Sequence, residues 1–227
     1  MPAVIQTIKQ ATELPEINLR TRVKFCGVTN LEDALHAEAL GVDAIGFVFN
    51  EASPRCIKPL DAKAIIEQLS AFVTTVGLFV NEDQNKVRRI ADDVALNLLQ
   101  FHGAETPEYC DSIGRPYMKA VRVQTRDDIL KAEIDYQTAR SLLLDSFNKN
   151  IFGGTGEKFN WNLIPKNLTK PFVLAGGLTV SNVKEAIITL RPYAIDVSSG
   201  IESAKGIKDQ ALMSAFIEKV KEVDNAR

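Results

Sequence analysis

Two side chains of this chain have the type and position to transfer protons. In RVKFCGVTN, residues 22–30, a short apolar run ends at Cys26 and a turn-like segment follows. In SLLLDSF, residues 141–147, a second apolar run leads into Asp145. A thiol acts as a base where a nearby cation favours its thiolate, and a desolvated carboxyl group keeps a proton that it can donate. The two residues are therefore candidates for a general base and a general acid.

Each candidate also has a structural interpretation. A lone cysteine is more often a small buried hydrophobe than a catalytic group, and we expect that of Cys110, on the apolar face of a helix. Asp145 could instead pair with Lys119 or Arg122. Lys24 is the cation nearest in sequence to the candidate base, and strand alternation leaves it on the same face or lower in the fold.

Three glycine-rich segments have the composition of an anion site. GGTGEK, AGGLT and SSGIE begin at residues 153, 175 and 198. Glycine lets backbone N–H groups approach an anion closely, and serine or threonine adds a hydroxyl donor. One such segment would be an ordinary turn, but three in succession favour a phosphate site. The predicted phosphate-binding residues are Gly154, Thr155, Gly156, Gly176, Gly177, Ser199 and Gly200.

Short apolar runs must form the elements that position these side chains. Eight runs rich in Val, Ile, Leu and Phe recur along the chain. Several are apolar at nearly every position, which is typical of a strand buried on both faces of a parallel sheet. We predict strands at residues 22–28, 43–49, 73–80, 95–101, 117–123, 141–147, 171–177 and 194–200.

Segments of helical period separate these runs. The first begins near a cap at Thr29 or Asn30 and stops at Gly41, a residue suited to a helix C-terminus. Thr106 resembles a cap of a later helix, and Thr179 and Ser181 resemble caps of another. Helices are predicted at residues 30–41, 60–71, 82–94, 106–114, 125–137, 160–167, 179–190 and 209–223.

Eight strand–helix units in one chain indicate an α/β fold. A single-domain (β/α)₈ TIM barrel suits eight such units better than an open doubly wound sheet, and no GxGxxG follows the first strand. We expect the barrel to span residues 22–227, with residues 1–21 as an N-terminal extension that forms a tail.

The active site of such a barrel lies at the C-terminal ends of its strands, and phosphate commonly binds to the loops after strands seven and eight. The polar residues that we predict at those ends are Cys26, Arg55, Asn81, Gln100, His102, Arg122, Asp145 and Asp196. An acid, a base and a phosphate site on one rim predict proton transfer on a small phosphorylated metabolite.

Composition excludes several other classes of function. The chain has 227 residues and a formal net charge of −2, which gives no electrostatic case for binding nucleic acid or an anionic membrane. No apolar run reaches the length of a membrane span, and the N-terminus lacks the order of a secretory signal. Three scattered cysteines indicate reduced thiols, so we expect a cytoplasmic protein.

A series of motifs runs from about Val23 to the last helix. They are KFCGVTNLEDA, DAIGFVF followed by SPR, VGLFVN, LLQFHG, LLLDSF, GGTGEKFNW, LAGGL and DVSSGIE. In content, order and spacing they resemble the phosphoribosylanthranilate isomerase family of tryptophan biosynthesis. The combination of KFCG and DVSSGIE is highly specific, whereas a glycine pair alone would mean little.

The resemblance implies an Amadori rearrangement of N-(5-phosphoribosyl)anthranilate to 1-(2-carboxyphenylamino)-1-deoxyribulose 5-phosphate, with no metal or organic cofactor. It implies that Asp145 protonates the furanose ring oxygen and that Cys26 removes the proton from C2′. Arg55 would pair with the anthranilate carboxylate, and the glycine-rich segments would hold the phosphate. Further candidates for substrate contact are Gln100, His102 and Asp196. Members of the family are monomers or homodimers.

Three alternatives remain at this stage. The isomerase of histidine biosynthesis performs the same rearrangement, but its base is an aspartate and it needs two phosphate sites. Indoleglycerol-phosphate synthase requires lysine and glutamate at its strand ends. A barrel that binds a phosphometabolite without turnover is the third, and the presence of both Cys26 and Asp145 argues against it.

Overall fold

Eight parallel strands close into a barrel in which each strand pairs with the next and β8 pairs with β1. The structure is a computed structural model that describes residues 20–146 and 160–227. The predicted (β/α)₈ architecture is confirmed. The strands are β1 Arg22–Cys26, β2 Ala44–Val48, β3 Thr74–Phe79, β4 Leu98–Phe101, β5 Tyr117–Val123, β6 Ser141–Ser146, β7 Phe172–Leu174 and β8 Ala194–Val197.

Helices follow most of the strands and begin and end where the local sequence favours it. The Asn30 side chain accepts a hydrogen bond from the N–H of Asp33, and Gly41 adopts the left-handed conformation after the first helix. Thr106 caps the fourth helix, as predicted. The helices are α1 Leu31–Leu40, α2 Pro59–Ile66, α3 Gln84–Asp93, α4 Pro107–Ser112, α5 Arg126–Asp135, α6 Val183–Leu190 and α7 Gln210–Asp224.

The helix predicted at residues 160–167 is wrong. Only the 3₁₀ turn Trp161–Leu163 forms there. The reason is Pro165, because a residue that precedes proline is driven out of the helical region, and Ile164 is indeed extended.

Two further differences concern the last quarter of the chain. Helix α6 begins after Asn182, and not at a cap formed by Thr179 or Ser181, because residues 179–182 form a turn of their own. A two-stranded hairpin, β9 Glu202–Ala204 and β10 Ile207–Lys208, follows β8 and has no counterpart among the predicted elements.

Alternate residues of each strand point into the barrel and form layers. An apolar layer contains Val76, Met118, Leu143 and Val173, which pack against one another. The next inward residue after Leu143 is Asp145, so the apolar layer forms the floor beneath it. None of the helices in the described residues is long and apolar enough to cross a membrane.

Candidate active site

A cleft open to solvent lies at the C-terminal ends of the strands, which is where active sites of (β/α)₈ barrels are found. The barrel brings nine of the predicted site residues to its walls: Cys26, Arg55, Gln100, His102, Asp145, Gly176, Gly177, Asp196 and Ser199.

The other four predicted site residues are Gly154, Thr155, Gly156 and Gly200, of which only Gly200 is described by the structure. Gly200 belongs to the 3₁₀ turn Ser199–Ile201 and packs against the carbonyl group of Leu178. Within residues 20–146 and 160–227, no group of three His, Cys, Asp or Glu side chains is placed to hold a metal ion.

Asp145, at the end of β6, is buried and has two polar neighbours. Its Oδ1 accepts a hydrogen bond from the Ser146 N–H at 2.8 Å, and its Oδ2 lies 3.0 Å from His102 Nε2. The alternative in which Asp145 pairs with Lys119 is wrong, because the Lys119 ammonium group binds Glu105 at 2.8 Å. Asp145 therefore faces the cleft with one edge held by the backbone and the other by an imidazole ring.

Gln100 holds that imidazole ring from the other side. Its Nε2 lies 2.8 Å from His102 Nδ1, while its Oε1 is buried without a partner among the described residues. A neutral imidazole ring that accepts from this amide at Nδ1 carries its proton on Nε2, where it can donate to Asp145. The three side chains form a partly buried chain that ends at the candidate acid.

Gly176 brings the loop after β7 against the same carboxyl group. Its φ of +77° lies in the left-handed region, and a Cβ at this position would lie 2.5 Å from Ser146 N and 2.6 Å from Asp145 Oδ1. Both the conformation and the close contact require glycine here. The candidate phosphate loop and the candidate acid are therefore in direct contact.

Cys26 lies across the mouth of the barrel from Asp145, with Lys24 beneath it. The Cys26 Sγ and the Lys24 Nζ both lie close above Gly46, where a Cβ would be 3.0 Å from Sγ and 3.1 Å from Nζ. The Lys24 ammonium group also donates to Asp196 Oδ1 at 2.7 Å, and this pair is buried. Asp196, a candidate for substrate contact, is therefore the counterion of Lys24.

These neighbours act on the Cys26 thiol in opposite directions. Burial raises the pKa of Cys26, Lys24 and Lys208 lower it, Asp196 raises it, and the net shift is upward. Burial also lowers the pKa of Lys24, but Asp196 and Cys26 outweigh that effect, so its net shift is upward and the amine stays charged. Cys26 is thus a buried thiol beside a cation that offsets part of the cost of forming its thiolate.

Arg55 lies above the end of β1, in the loop after β2. Its aliphatic part packs on Gly27, where φ is +76° and a Cβ would lie 2.6 Å from Arg55 Cδ. Its guanidinium group binds Glu202 of β9, which also binds Lys208. The hydrogen bond to Glu202 raises the pKa of Arg55, so Arg55 is a fixed cation at the cleft.

Sequence reasoning missed three residues around the site: Ser198, Glu202 and Lys208. Ser198 and Glu202 are the first and last residues of the SSGIE segment. Lys24, the cation nearest to Cys26 in sequence, lies beside the thiol in the structure. Ser198 donates to the carbonyl group of Cys26 at 3.0 Å. No local pattern marks Lys208, because its role depends on the unpredicted hairpin.

The closed barrel and the polar cleft at its C-terminal rim define a (β/α)₈-barrel enzyme. A family model described as N-(5'phosphoribosyl)anthranilate (PRA) isomerase matches residues 23–219, and the chain belongs to this family of isomerases. The chain is 54% identical to N-(5'-phosphoribosyl)anthranilate isomerase of Pseudomonas syringae pv. tomato over 199 residues, which cover 88% of this chain and 97% of that protein.

Solved structures of the same family have the same fold. The crystal structure of phosphoribosyl anthranilate isomerase from Thermotoga maritima superposes with a TM-score of 0.83 at 42% identity, covering 89% of this chain and 99% of that one. A structure of phosphoribosyl anthranilate isomerase in complex with reduced 1-(o-carboxyphenylamino)-1-deoxyribulose 5-phosphate has a TM-score of 0.76 at 40% identity, covering 89% and 99%.

Proposed function

We propose that the cleft isomerises N-(5-phosphoribosyl)anthranilate in tryptophan synthesis by an Amadori rearrangement, with Asp145 as general acid and Cys26 as general base. The observation that carries the proposal is the placement of these two side chains on β6 and β1, across one cleft. A substrate that lies between them presents its ring oxygen to one wall and its C2′ to the other.

The acid step opens the sugar ring. Asp145 transfers a proton to the furanose ring oxygen, the bond between that oxygen and C1′ breaks, and the nitrogen lone pair forms a C1′=N bond. The ring oxygen becomes the 4′-hydroxyl group. His102 lies with Nε2 on Asp145 Oδ2, so it positions the carboxyl group and provides a route by which its proton is restored.

The base step moves a proton away from carbon. The Cys26 thiolate takes the C2′ proton, and the electrons of that C–H bond neutralise the protonated imine to give an enolamine. Transfer of a proton from the 2′-hydroxyl group to C1′ then yields the ketose. The Cys26 thiol releases its proton to solvent and Asp145 takes one up, so both groups are restored and the reaction is an isomerisation without net gain or loss of atoms. Lys24 favours the thiolate that this step needs.

The two ends of the substrate carry anionic groups for which the cleft has matching sites. Gly177 and Ser199, in the loops after β7 and β8, line the cleft where barrels commonly bind phosphate. Arg55, beside Cys26, is the cation for the anthranilate carboxylate. All these residues belong to one chain, so a single copy of the protein contains every side chain that the proposed mechanism uses.

A turnover assay tests the function. The full chain, mixed with freshly made phosphoribosylanthranilate and excess indoleglycerol-phosphate synthase, should cause a rapid decay of the fluorescence of the anthranilate adduct. A folded protein that produces no decay above the spontaneous rate would overturn the proposal, and adduct binding without decay would indicate a non-catalytic barrel.

The pH profile provides a prediction for the base. Because only the thiolate acts and burial raises the pKa of Cys26, kcat/KM should rise with pH along an alkaline limb. Lys24→Met removes the cation that favours the thiolate, so this limb should move to higher pH. Asp196→Asn removes a charge that disfavours the thiolate, so the limb should move to lower pH.

The two shifts must have opposite signs. Lys24→Met leaves Asp196 buried without its partner and is expected to lower stability, so the limb is measured at a temperature at which circular dichroism shows the variant folded. Profiles of both variants that coincide with that of the wild type would remove the Lys24–Asp196 pair from control of the base.

A further inference from the structure

The hairpin β9–β10 holds the guanidinium group of Arg55. Arg55 Nε donates to Glu202 Oε1 and Arg55 Nη2 to Glu202 Oε2, each at 2.7 Å. Lys208, from the other strand of the hairpin, donates to Glu202 Oε1 at 2.8 Å and to the carbonyl oxygen of Ser198 at 3.1 Å. The N–H of Gly206 also approaches Glu202 Oε2, at 3.3 Å. Glu202 is therefore fixed from three sides.

This contact leaves the end of the guanidinium group free for a ligand. A guanidinium group has five N–H donors in a rigid plane, and Glu202 takes one on Nε and one on Nη2. Among the described residues, Arg55 Nη1 has no hydrogen-bond partner, and the side chain lines the cleft. The remaining edge, formed by Nη1 and Nη2, has the geometry that binds a carboxylate in two places.

The direction of that free edge depends on Glu202. The Arg55 stem rests on Gly27, which limits where the stem can lie, but the bond from Cδ to Nε can still rotate. The paired contact with Glu202 removes this last freedom, because two parallel hydrogen bonds define the plane and the angle of the group. The carboxylate of Glu202 is the only described group that holds both nitrogens.

A role for Glu202 in balancing charge predicts the opposite effect on binding of the substrate carboxylate. Arg55, Glu202 and Lys208 together carry one net positive charge, which a substrate carboxylate would neutralise. If Glu202 only balanced charge, its removal would leave two cations and would strengthen the binding of an anion. If it orients Arg55, its removal would weaken the binding of a carboxylate. The two roles therefore predict effects of opposite sign.

We propose that Glu202, supported by Lys208, is a positioning residue that directs Arg55 at the aromatic carboxylate of the substrate and so determines selectivity for carboxylate-bearing arylamine adducts. The inference rests on the proposed function, in which Arg55 binds that carboxylate. Glu202 and Lys208 need no contact with the substrate. Selectivity is then a property of the hairpin as well as of the cation that it holds.

The test compares two substrates in wild type and in Glu202→Gln, which keeps the shape of the side chain and removes its charge. One substrate is the phosphoribosyl adduct of anthranilate, and the other is the adduct of aniline, which lacks the carboxylate. Both are followed by chromatographic separation of the adduct from its ketose isomer. The readout is the ratio of the two kcat/KM values.

We expect the ratio to fall about tenfold in Glu202→Gln, equivalent to the loss of about one charge-assisted hydrogen bond. The fall should arise from a higher KM for the anthranilate adduct, with kcat and the rate on the aniline adduct little changed. Arg55→Ala should lower the ratio further, because the cation that binds the carboxylate is then absent. Glu105→Gln is the matched control, since Glu105 is equally buried in a pair with Lys119; it should lower stability and leave the ratio unchanged.

Each of the other outcomes would contradict a different part of the proposal. An unchanged or larger ratio in Glu202→Gln, with strong selectivity in the wild type, would overturn the positioning role while leaving the function intact. A wild type that does not prefer the carboxylate would refute the role of Arg55 and, with it, that of Glu202. A wild type that converts neither adduct would overturn the proposed function itself.

Discussion

Cys26→Ala should lower kcat on phosphoribosylanthranilate by about 10²–10⁴-fold, the usual contribution of a positioned general base. The protein should remain folded, because the substitution removes one small side chain at the rim and leaves the barrel layers intact. Cys26→Ser should be nearly as inactive, since a hydroxyl group of similar size does not ionise near neutral pH. Initial rates of fluorescence decay, with far-ultraviolet circular dichroism on the same samples, measure both effects.

Cys110→Ala is the matched control for this experiment. Cys110 is completely buried in the core on α4 and is not among the residues that line the cleft. Its removal should lower the free energy of unfolding by roughly 1 kcal/mol through lost apolar contacts and leave kcat unchanged. Nearly full turnover by folded Cys26→Ala would show that another group takes the C2′ proton.

Asp145→Asn should produce a loss of similar size, about 10²–10⁴-fold in kcat. Asparagine has the same shape, and its side-chain oxygen can still accept the Ser146 N–H, so the contact with Gly176 and the local backbone should persist. It cannot deliver a proton to the ring oxygen. The loss should therefore appear in kcat, with KM changed much less, because the phosphate and carboxylate sites are untouched.

Asp43→Asn provides the comparison at the opposite end of the barrel. Asp43 Oδ2 accepts the Val23 N–H at 2.8 Å, and its carboxylate also binds Arg20. Asp43→Asn should lower the free energy of unfolding by roughly 1 kcal/mol and leave kcat unchanged. If Asp145→Asn retained wild-type kcat, or if it lost activity only by unfolding, Asp145 would be a structural carboxylate and the acid would have to be sought elsewhere.

Much of the fold could be predicted from the chain alone. The eight apolar runs became eight strands, with ends moved by a few residues, because a strand covered on both faces requires apolar residues at nearly every position. Helix caps at Asn30, Gly41 and Thr106 are local hydrogen-bonding and steric effects, so they were visible in the sequence. Residues 160–167 have helical periodicity but do not form the predicted helix, because Pro165 in its interior keeps the preceding Ile164 out of the helical conformation.

Local order along the strands also determined where the candidate acid and base lie. Cys26 and Asp145 are both the last inward residues of their strands, and the parallel barrel places all such ends at one rim. The side chain one inward position below Asp145 is apolar, and the one below Cys26 is Lys24. The spacing of residues along a strand shows which of them face inward, because every second side chain points to the same face.

The tertiary structure alone decided which groups act on these residues. Lys24 meets Asp196 across 172 positions of the chain, and Arg55 meets Glu202 across 147. His102 reaches Asp145 from two strands away around the barrel. These contacts depend on closure of the barrel and on the path of the loops and the β9–β10 hairpin. Neither feature can be predicted from the periodicity of the sequence. Residue spacing thus determined the fold and the positions of the candidate catalytic groups, while long-range packing determined which charged and hydrogen-bonding groups surround them.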